Sequence, residues 1–138
     1  MEIKVGEYVR TKNGLIGKVN KIELAGSGVR FGGEYLSETI IQFNDGKVYE
    51  RRVKEKDIIK HSFNLIDLIE VGDYVNGRLV LAVDYKRQNI CLLIPFTDTK
   101  ASTNIMWYGY EEIKAILTHE QFEANAYKVK GEWLWLLK

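Results

Sequence analysis

The sequence contains little of several residue types on which whole classes of protein depend. Its 138 residues include one cysteine, one proline and two histidines, and its 20 lysines and arginines nearly balance its 19 acidic residues. A single cysteine excludes an internal disulfide framework. The longest apolar run, Ile90–Phe96, is much shorter than the ~20 residues that a helix needs to cross a bilayer, so we expect no membrane partner. Because Met1–Lys4 leads directly into sequence of folded character, we also expect no signal peptide and a cytoplasmic protein.

The rest of the composition is that of an ordinary globular chain. Hydrophobic residues make up 46% of the sequence and charged residues 28%, which predicts a packed core and excludes a disordered or fibrous chain. No stretch rich in proline or serine separates one part of the sequence from another. We therefore expect one compact body.

One short motif occurs twice. Val5–Val9 reads VGEYV and Val71–Val75 reads VGDYV. Each copy leads to an Asn-Gly pair, at 13–14 and 76–77, and then to a β-rich run. Asn-Gly favours a tight hairpin turn because both residues tolerate positive φ. The repeat therefore predicts two related β-units.

Short strands separated by tight turns predict a mainly β fold. Five strands with one helical turn before the last are typical of a small SH3-like barrel of the Tudor or KOW type, and a closed barrel leaves no exposed edge strand. We expect one such unit over residues 1–62, a helical linker over 63–70, and a second unit over 71–138 that includes a short helix and a C-terminal hairpin. The predicted strands after Tyr8 are 15–22, 38–43, 47–53 and 58–61 in the first unit, and 74–75, 78–85, 89–94, 105–108 and 113–117 in the second.

Two segments carry helix signals. In Asn64–Ile69, an asparagine at the N-cap is followed by an acid three residues later, which favours a short helix. Thr118 and Gln121 have the spacing of a capping box and predict a helix over 118–124. The run 127–136, which contains Trp133 and Trp135, then predicts a closing hairpin.

The residue types that catalysis or metal binding requires are scarce. Cys91 lies in an apolar strand, where burial shields a thiol, and we expect it in the core. His61 and His119 are the only imidazoles, and without any metal-ligand spacing they are expected to be ordinary surface residues. Glu111 and Glu112 are neighbours that would point apart in an extended segment, so they make a poor acid and base pair. We therefore predict no enzyme, no cofactor and no metal.

A glycine-rich stretch at 25–35 has neither the lysine-serine ending of a P-loop nor the spacing of a dinucleotide fingerprint. It predicts a long flexible connection between two strands. Long loops inserted into small barrels often carry binding residues, so Arg30, Phe31 and Tyr35 are candidates for a binding site.

The basic and aromatic residues supply the other binding candidates. Residues 1–62 have a net charge of +3 and residues 63–138 a net charge of −2. Arg51, Arg52 and Lys54 belong to the densest basic segment and could contact phosphates, although a solvated strand face explains them as well. Trp107 and Tyr108 lie in an aromatic run that a small core cannot hide completely, and such residues often anchor protein interfaces.

Three segments together resemble a group of small uncharacterised proteins carried by phages and prophages of low-GC Gram-positive bacteria. They are Val5–Thr11, Asn64–Gly77 and Ile116–Glu123. The resemblance supplies no catalytic residues. It implies an accessory protein, made inside a bacterial cell, that works by occupying a host protein or a nucleic acid.

The expected function is therefore binding without catalysis. The first hypothesis is that the chain binds a protein of the host, for example as an inhibitor of an anti-phage defence system such as an anti-CRISPR. The alternative is a nucleic-acid-binding module that uses the basic face and the aromatic residues of the first unit, with Tyr35 or Tyr49 stacking on an unpaired base. Association with a second copy of the chain is left open.

Overall fold

The computed structural model describes residues 2–31, 34–46, 49–94 and 105–125, and for 25–31 and 34–37 it describes the backbone alone. Within these residues the chain forms ten strands and one α-helix, so the predicted mainly β fold is confirmed. Short 3-10 turns occur at Glu55–Asp57, Leu65–Leu68 and Tyr110–Glu112. The elements are β1 Tyr8–Thr11, β2 Ile16–Phe31, β3 Glu34–Asn44, β4 Glu50–Lys54, β5 Ile58–Ser62, β6 Tyr74–Val75, β7 Arg78–Asp84, β8 Asn89–Leu93, β9 Ile105–Gly109, β10 Ile116–Leu117 and α1 His119–Asn125.

The strands form two antiparallel sheets with the same internal order. The first is β4-β3-β2-β1-β5 and the second is β10-β6-β7-β8-β9. In each sheet the strand that comes last in the sequence lies beside the strand that comes first: β5 pairs with β1, and β10 pairs with β6. A 3-10 turn precedes both β5 and β10 in the chain. The expected closed barrel is not found among the described residues, because the outermost strands of a sheet do not pair with each other. Each sheet therefore keeps two edge strands.

The repeated motif forms the same turn in both units. Gly6 and Gly72 have φ values of +95° and +98°, a region that favours glycine. The Gly6 N–H donates to the Val19 carbonyl at 2.9 Å, and the Gly72 N–H donates to the Val80 carbonyl at 3.1 Å. The glycine of the motif thus lets the chain turn against the second strand of its unit.

The acidic residue of each motif copy completes that turn. The Lys4 N–H donates to Glu7 Oε2 at 3.4 Å, and the Glu70 N–H donates to Asp73 Oδ2 at 2.8 Å. The remaining carboxylate oxygens are free to serve other groups. Asp73 uses this capacity to accept a hydrogen bond at 2.9 Å from the backbone N–H of His119.

Each sheet covers a separate hydrophobic core. Val9, Val19, Ile41 and Phe43 form the centre of the first core. Strand residues and the linker segment build the second, whose buried members are Ile66, Ile69, Val75, Val80, Ile90 and Leu92. The segment that follows the first sheet is therefore packed into the second core. Among the described residues, no helix has the length and apolar character to span a membrane.

The linker differs in detail from the sequence prediction. The predicted short helix is present as a 3-10 turn, but the Asn64 side chain makes no cap hydrogen bond. Instead, Ser62 Oγ accepts the Asn64 N–H at 3.0 Å and donates to Asp67 Oδ2 at 2.6 Å. These two hydrogen bonds of Ser62 hold the start of the four-residue turn in place.

The other local predictions can be compared with the structure in the same way. Asn76 and Gly77 both have positive φ, as the tight turn requires. The Gln121 N–H donates to Thr118 Oγ1 at 3.3 Å, so Thr118 caps α1 as predicted. The predicted loop over 25–35 is largely a strand ladder, because β2 and β3 remain paired as far as Phe31 and Glu34. The predicted hairpin over 127–136 lies outside the described residues.

Candidate functional site

The most exposed apolar strand is β9, at one edge of the second sheet. Its sequence is Ile-Met-Trp-Tyr-Gly, without a charged side chain, and in the described part of the chain it pairs only with β8. Trp107 lies opposite Cys91 and Ile105 opposite Leu93, so these four side chains share one face of the sheet. Cys91 is buried, as expected, whereas 50% of the Trp107 surface is exposed.

We call Leu93, Ile105 and Trp107 the β9 surface. Leu93 and Ile105 are 40% and 41% exposed, so three large apolar side chains meet solvent together. Contiguous exposed apolar groups are a feature of many interaction sites. No described strand pairs with the outer edge of β9, so within the described residues this edge adds backbone donors and acceptors beside them.

Tyr108, the other aromatic candidate, points the opposite way. It lies opposite Ile90, a member of the second core, and packs against that core. Its hydroxyl oxygen accepts a hydrogen bond from Arg78 Nη1 at 3.4 Å. Because successive side chains of a strand alternate between faces, Trp107 is placed for binding and Tyr108 for packing.

β4 occupies in the first sheet the position that β9 occupies in the second, but its chemistry differs. Its sequence is Glu-Arg-Arg-Val-Lys. The central residue of β4 is Arg52 and that of β9 is Trp107, and both side chains are at least half exposed. Charges on an edge strand oppose pairing with another strand. Among the described strands, β9 is thus the uncharged one of these two equivalent edges and β4 the charged one.

The candidate cations of β4 each lie beside a carboxylate. Arg52 Nη2 donates to Glu23 Oε2 at 2.7 Å. Lys21 Nζ lies 2.7 Å from the other oxygen of Glu23. The hydrogen bond and charge of Lys21, followed by the charge of Arg52, hold the pKa of Glu23 below its ordinary value. Glu23 therefore remains ionised and offsets the positive charge of this face.

Arg51 and Lys54 follow the same pattern. Arg51 Nε donates to Asp45 Oδ2 at 2.9 Å, and Lys54 Nζ lies 3.4 Å from Glu38 Oε1. A phosphate that approached these cations would have to compete with the carboxylates. Arg51, Arg52 and Lys54 are therefore charge-balanced instead of forming a positive patch.

The three candidates from the glycine-rich stretch lie at the far end of the β2–β3 hairpin. Arg30 pairs with Tyr35 and Phe31 with Glu34 along the backbone, beyond a register shift that follows Gly26. The structure therefore places these positions in a ladder. Their side chains lie outside what the structure describes.

Sequence reasoning missed the centre of the contact between the two units. Arg10, on β1, has a fully buried side chain. Its Nη1 donates to Asp73 Oδ2 at 2.5 Å and to the Leu68 carbonyl at 2.9 Å, while Nη2 donates to Asp73 Oδ1 at 2.9 Å. Its Nε and Nη2 also donate to the Glu120 carboxylate on α1. We call Arg10, Asp73 and Glu120 the Arg10 junction.

The electrostatics of this junction are those of a closed ion-pair network. Burial alone would lower the pKa of Arg10, but hydrogen bonds and charges from Asp73 and Glu120 raise it above its ordinary value. Among the described residues, no buried side-chain nitrogen or oxygen is without a hydrogen-bond partner. The sequence carries no signal for the junction, since a single arginine in a short strand does not reveal which face will be covered.

Both histidines are partly exposed, and each lies within hydrogen-bond distance of a carboxylate. His61 Nδ1 lies 2.6 Å from Glu7 Oε2, with 27% of the His61 side chain exposed. His119 Nε2 lies 2.8 Å from Glu70 Oε1. In the first unit, the acid of the motif, Glu7, contacts His61 in β5. In the second, the contact to His119 comes from Glu70, three residues before the acid of the motif.

One group of residues has the composition of a metal site. Ligand atoms of Glu70, His119 and Glu120 lie within 4.8 Å of one another. However, Glu120 is bound by Arg10, and Lys60 Nζ lies 3.0 Å from Glu70 Oε2. The chain's own cations therefore already balance the carboxylates, as a metal ion would.

Glu70 shows the effect of these cations directly. Its partial burial would raise its pKa, but hydrogen bonds from His119 and Lys60 and the nearby charges of Arg10 and Lys60 outweigh it and lower the pKa. Glu70 is thus an ionised carboxylate that helps to hold the two units together.

No family model, curated protein or solved structure matches this chain. Its function is therefore inferred from its own residues and their geometry.

Proposed function

We propose that this chain is a non-enzymatic binding protein built from two SH3-like units, and that its β9 surface binds a protein of the host bacterium. The strand order supports the SH3-like proposal, because each sheet places its fifth strand beside its first and has a 3-10 turn before the fifth. In this proposal each unit is an open barrel, and the second unit is open at β9.

The contrast between β9 and β4 carries the proposal. Both are the fourth strand of their unit and both lie at an edge. β4 has three cations and one acid in five residues, whereas β9 has no charge and exposes a tryptophan. Selection against accidental pairing favours charges at edges, so an uncharged aromatic edge is best explained by a partner that covers it.

The partner segment best suited to β9 is an extended strand. Such a strand would add to the second sheet by backbone hydrogen bonds, while its side chains would contact the β9 surface. Trp107 would be the anchor, since buried tryptophans dominate the energy of many interfaces. Ile105 and Leu93 would extend the apolar contact along the same face.

The resemblance to phage and prophage proteins suggests where the partner is found. A phage accessory protein acts in the host cytoplasm, and a small chain without a catalytic set acts there by occupying another molecule. We therefore propose a host protein as the target, with a component of an anti-phage defence system as the leading case and inhibition of a CRISPR effector as one example.

Affinity capture with matched variants tests this proposal. Full-length tagged protein, Trp107→Ala and Arg52→Ala would each be incubated with nuclease-treated lysate of a low-GC Gram-positive host, and bound proteins quantified by mass spectrometry. We expect a stoichiometric host protein with wild type and with Arg52→Ala, and at least about a tenfold loss with Trp107→Ala. Arg52 is the matched control because it has the equivalent position in the other unit.

The same variants separate the nucleic-acid alternative. If the basic face of the first unit binds nucleic acid, fluorescence anisotropy with single- and double-stranded oligonucleotides will show binding that Arg51→Ala/Arg52→Ala weakens and that salt weakens steeply. That result, with no protein captured, would replace the proposal. Size-exclusion chromatography of the purified chain shows whether a second copy covers β9 instead, since Trp107→Ala would then change the elution volume.

A further inference from the structure

A concave surface separate from β9 lies between the two units. It encloses about 920 Å³. From the first unit it is lined by the start of β2 and the turn after β3, and from the second by the residues around β10. We call it the inter-unit cleft. Among the described strands, β10 pairs only with β6, so the cleft also borders a free sheet edge.

The cleft is more positive than the chain as a whole. Among the described residues, its charged lining residues are Lys18, Arg51 and Lys114 against Asp45, a net charge of +2, whereas the entire chain has +1. Asp45 is already paired with Arg51. In the described part of the chain, neither Lys18 nor Lys114 lies within ion-pair distance of a carboxylate. Two lysines at this site therefore have charge available for a ligand.

The cleft also has apolar walls that a purely ionic ligand would not use. Leu15 and Ile16 contribute from the first unit, and Ile113, Ile116 and Leu117 from the second. Leu117 is 40% exposed. A ligand that fits both features combines negative charges with apolar side chains.

The walls of the cleft are held in place by direct contacts. Thr118 Oγ1 donates to the Gly14 carbonyl at 2.8 Å, and this bond joins the two units at the cleft itself. Tyr8, which lines the cleft, also contacts the second unit, since its hydroxyl oxygen lies 3.1 Å from that of Tyr110. A preformed site of this kind loses less free energy to ordering when a ligand binds.

We propose that the inter-unit cleft binds an acidic, partly apolar peptide segment of a protein partner. This site is independent of the β9 surface. The carboxylates of the segment contact Lys18 and Lys114, and its apolar side chains contact the walls. A peptide fits better than a single-stranded nucleic acid, because the described residues of the cleft include one aromatic ring, Tyr8, and successive bases need several rings to stack on.

Binding of a defined peptide to the full chain tests the proposal. The probe is a fluorescein-labelled peptide of Glu, Leu and Ser, compared with the same peptide carrying Gln for each Glu and with an oligo-dT of similar length. Lys18→Glu/Lys114→Glu is expected to weaken binding of the acidic peptide at least about tenfold. Lys56→Glu/Lys86→Glu makes the same change in net charge away from the cleft and should change the affinity by less than about twofold.

Amide chemical shifts locate the bound peptide. We expect shifts at residues 16–18 and 114–117 and none at 105–109, and Trp107→Ala should leave the peptide affinity unchanged. If the Lys18→Glu/Lys114→Glu variant does not fold, the double variant Lys18→Gln/Lys114→Gln is measured in its place. No binding of the acidic peptide, equal weakening by both double variants, or shifts outside the cleft would overturn the proposal. Tighter binding of oligo-dT than of the peptide would assign the cleft to nucleic acid instead.

Discussion

Arg10 and Asp73 form a two-pronged ion pair between the two units, with Nη1 and Nη2 donating to Oδ2 and Oδ1 at 2.5 and 2.9 Å. Neither side chain has any exposed surface. Arg10 follows the first copy of the repeated motif directly, and Asp73 is the acid of the second copy. The repeat therefore does more than form two similar turns, because the acid of one turn binds the residue that follows the other.

Replacing Arg10 should be strongly destabilising. Arg10→Ala would leave the buried carboxylates of Asp73 and Glu120 without their partner, so we expect a loss of about 3–5 kcal/mol in the free energy of unfolding. Arg52→Ala removes an exposed pair with Glu23 and should lower the free energy of unfolding much less, because water and salt screen such a pair. Urea unfolding followed by tryptophan fluorescence measures both. Equal losses in the two variants would show that the junction contributes no more than a surface ion pair.

Two glycines of equal φ should respond differently to alanine. Gly14 and Gly46 both have φ of +82°. A Cβ at Gly14 would overlap Thr118 Oγ1 and lie 2.9 Å from the Cβ of Glu120, whereas a Cβ at Gly46 meets no atom of the described residues within 4 Å. Gly46→Ala should therefore show only the backbone strain of about 1 kcal/mol. Gly14→Ala should lose roughly 1–3 kcal/mol more, because it pushes α1 away from the first unit.

Thermal unfolding of the two glycine variants provides the comparison. If the transition temperatures of Gly14→Ala and Gly46→Ala fall by the same amount, the close approach of α1 to the Asn13-Gly14 turn does not exist in solution.

Glu70 should make stability sensitive to acid. Its pKa in the folded chain lies below its ordinary value of 4.5. The stabilisation from Glu70 is therefore present above the unfolded pKa and is lost as the pH falls through the folded pKa. Between about pH 6 and about pH 3, Glu70→Gln should lose less free energy of unfolding than wild type does. His119→Gln, which removes a hydrogen bond to Glu70, should show a smaller reduction of the same sign. Parallel curves for wild type and Glu70→Gln would contradict this role.

A charge on β9 should remove binding without unfolding the chain. Ile105→Lys gives β9 the kind of charged edge that β4 already has, and the side chain can reach solvent because Ile105 is exposed. We expect partner affinity to fall at least about tenfold, while the free energy of unfolding changes by about 1 kcal/mol or less. Titration calorimetry with the captured partner and urea unfolding measure the two quantities. Retained affinity would mean that the partner binds elsewhere.

Local signals in the sequence predicted many of the elements. Asn76-Gly77 adopts the positive φ values of a tight turn, and β5 begins at Ile58 as predicted. These features depend on residues that are neighbours in the chain. The sequence did not show that Trp107 is exposed and Tyr108 faces the core. Strand alternation places the two side chains on opposite faces of the sheet, but it does not show which face packs against the core.

The junction between the units was beyond sequence reasoning for a physical reason. Arg10 is buried only because Asp73 and Glu120 reach it from positions far along the chain. Nothing in the residues next to Arg10 distinguishes it from the exposed arginines of β4. The prediction of a loop at the glycine-rich stretch was wrong because its local signal was ambiguous. Glycines that indicate a loop also permit an irregular strand ladder with a register shift.

Hydrogen–deuterium exchange of the chain, alone and saturated with its captured protein partner, compares the two equivalent edge strands in one experiment. If a partner strand adds to the second sheet, amide exchange will slow at β9, residues 105–109, and remain unchanged at β4, residues 50–54. Protection of β4 with none at β9 would contradict the assignment of the protein-binding surface and return attention to the basic face of the first unit.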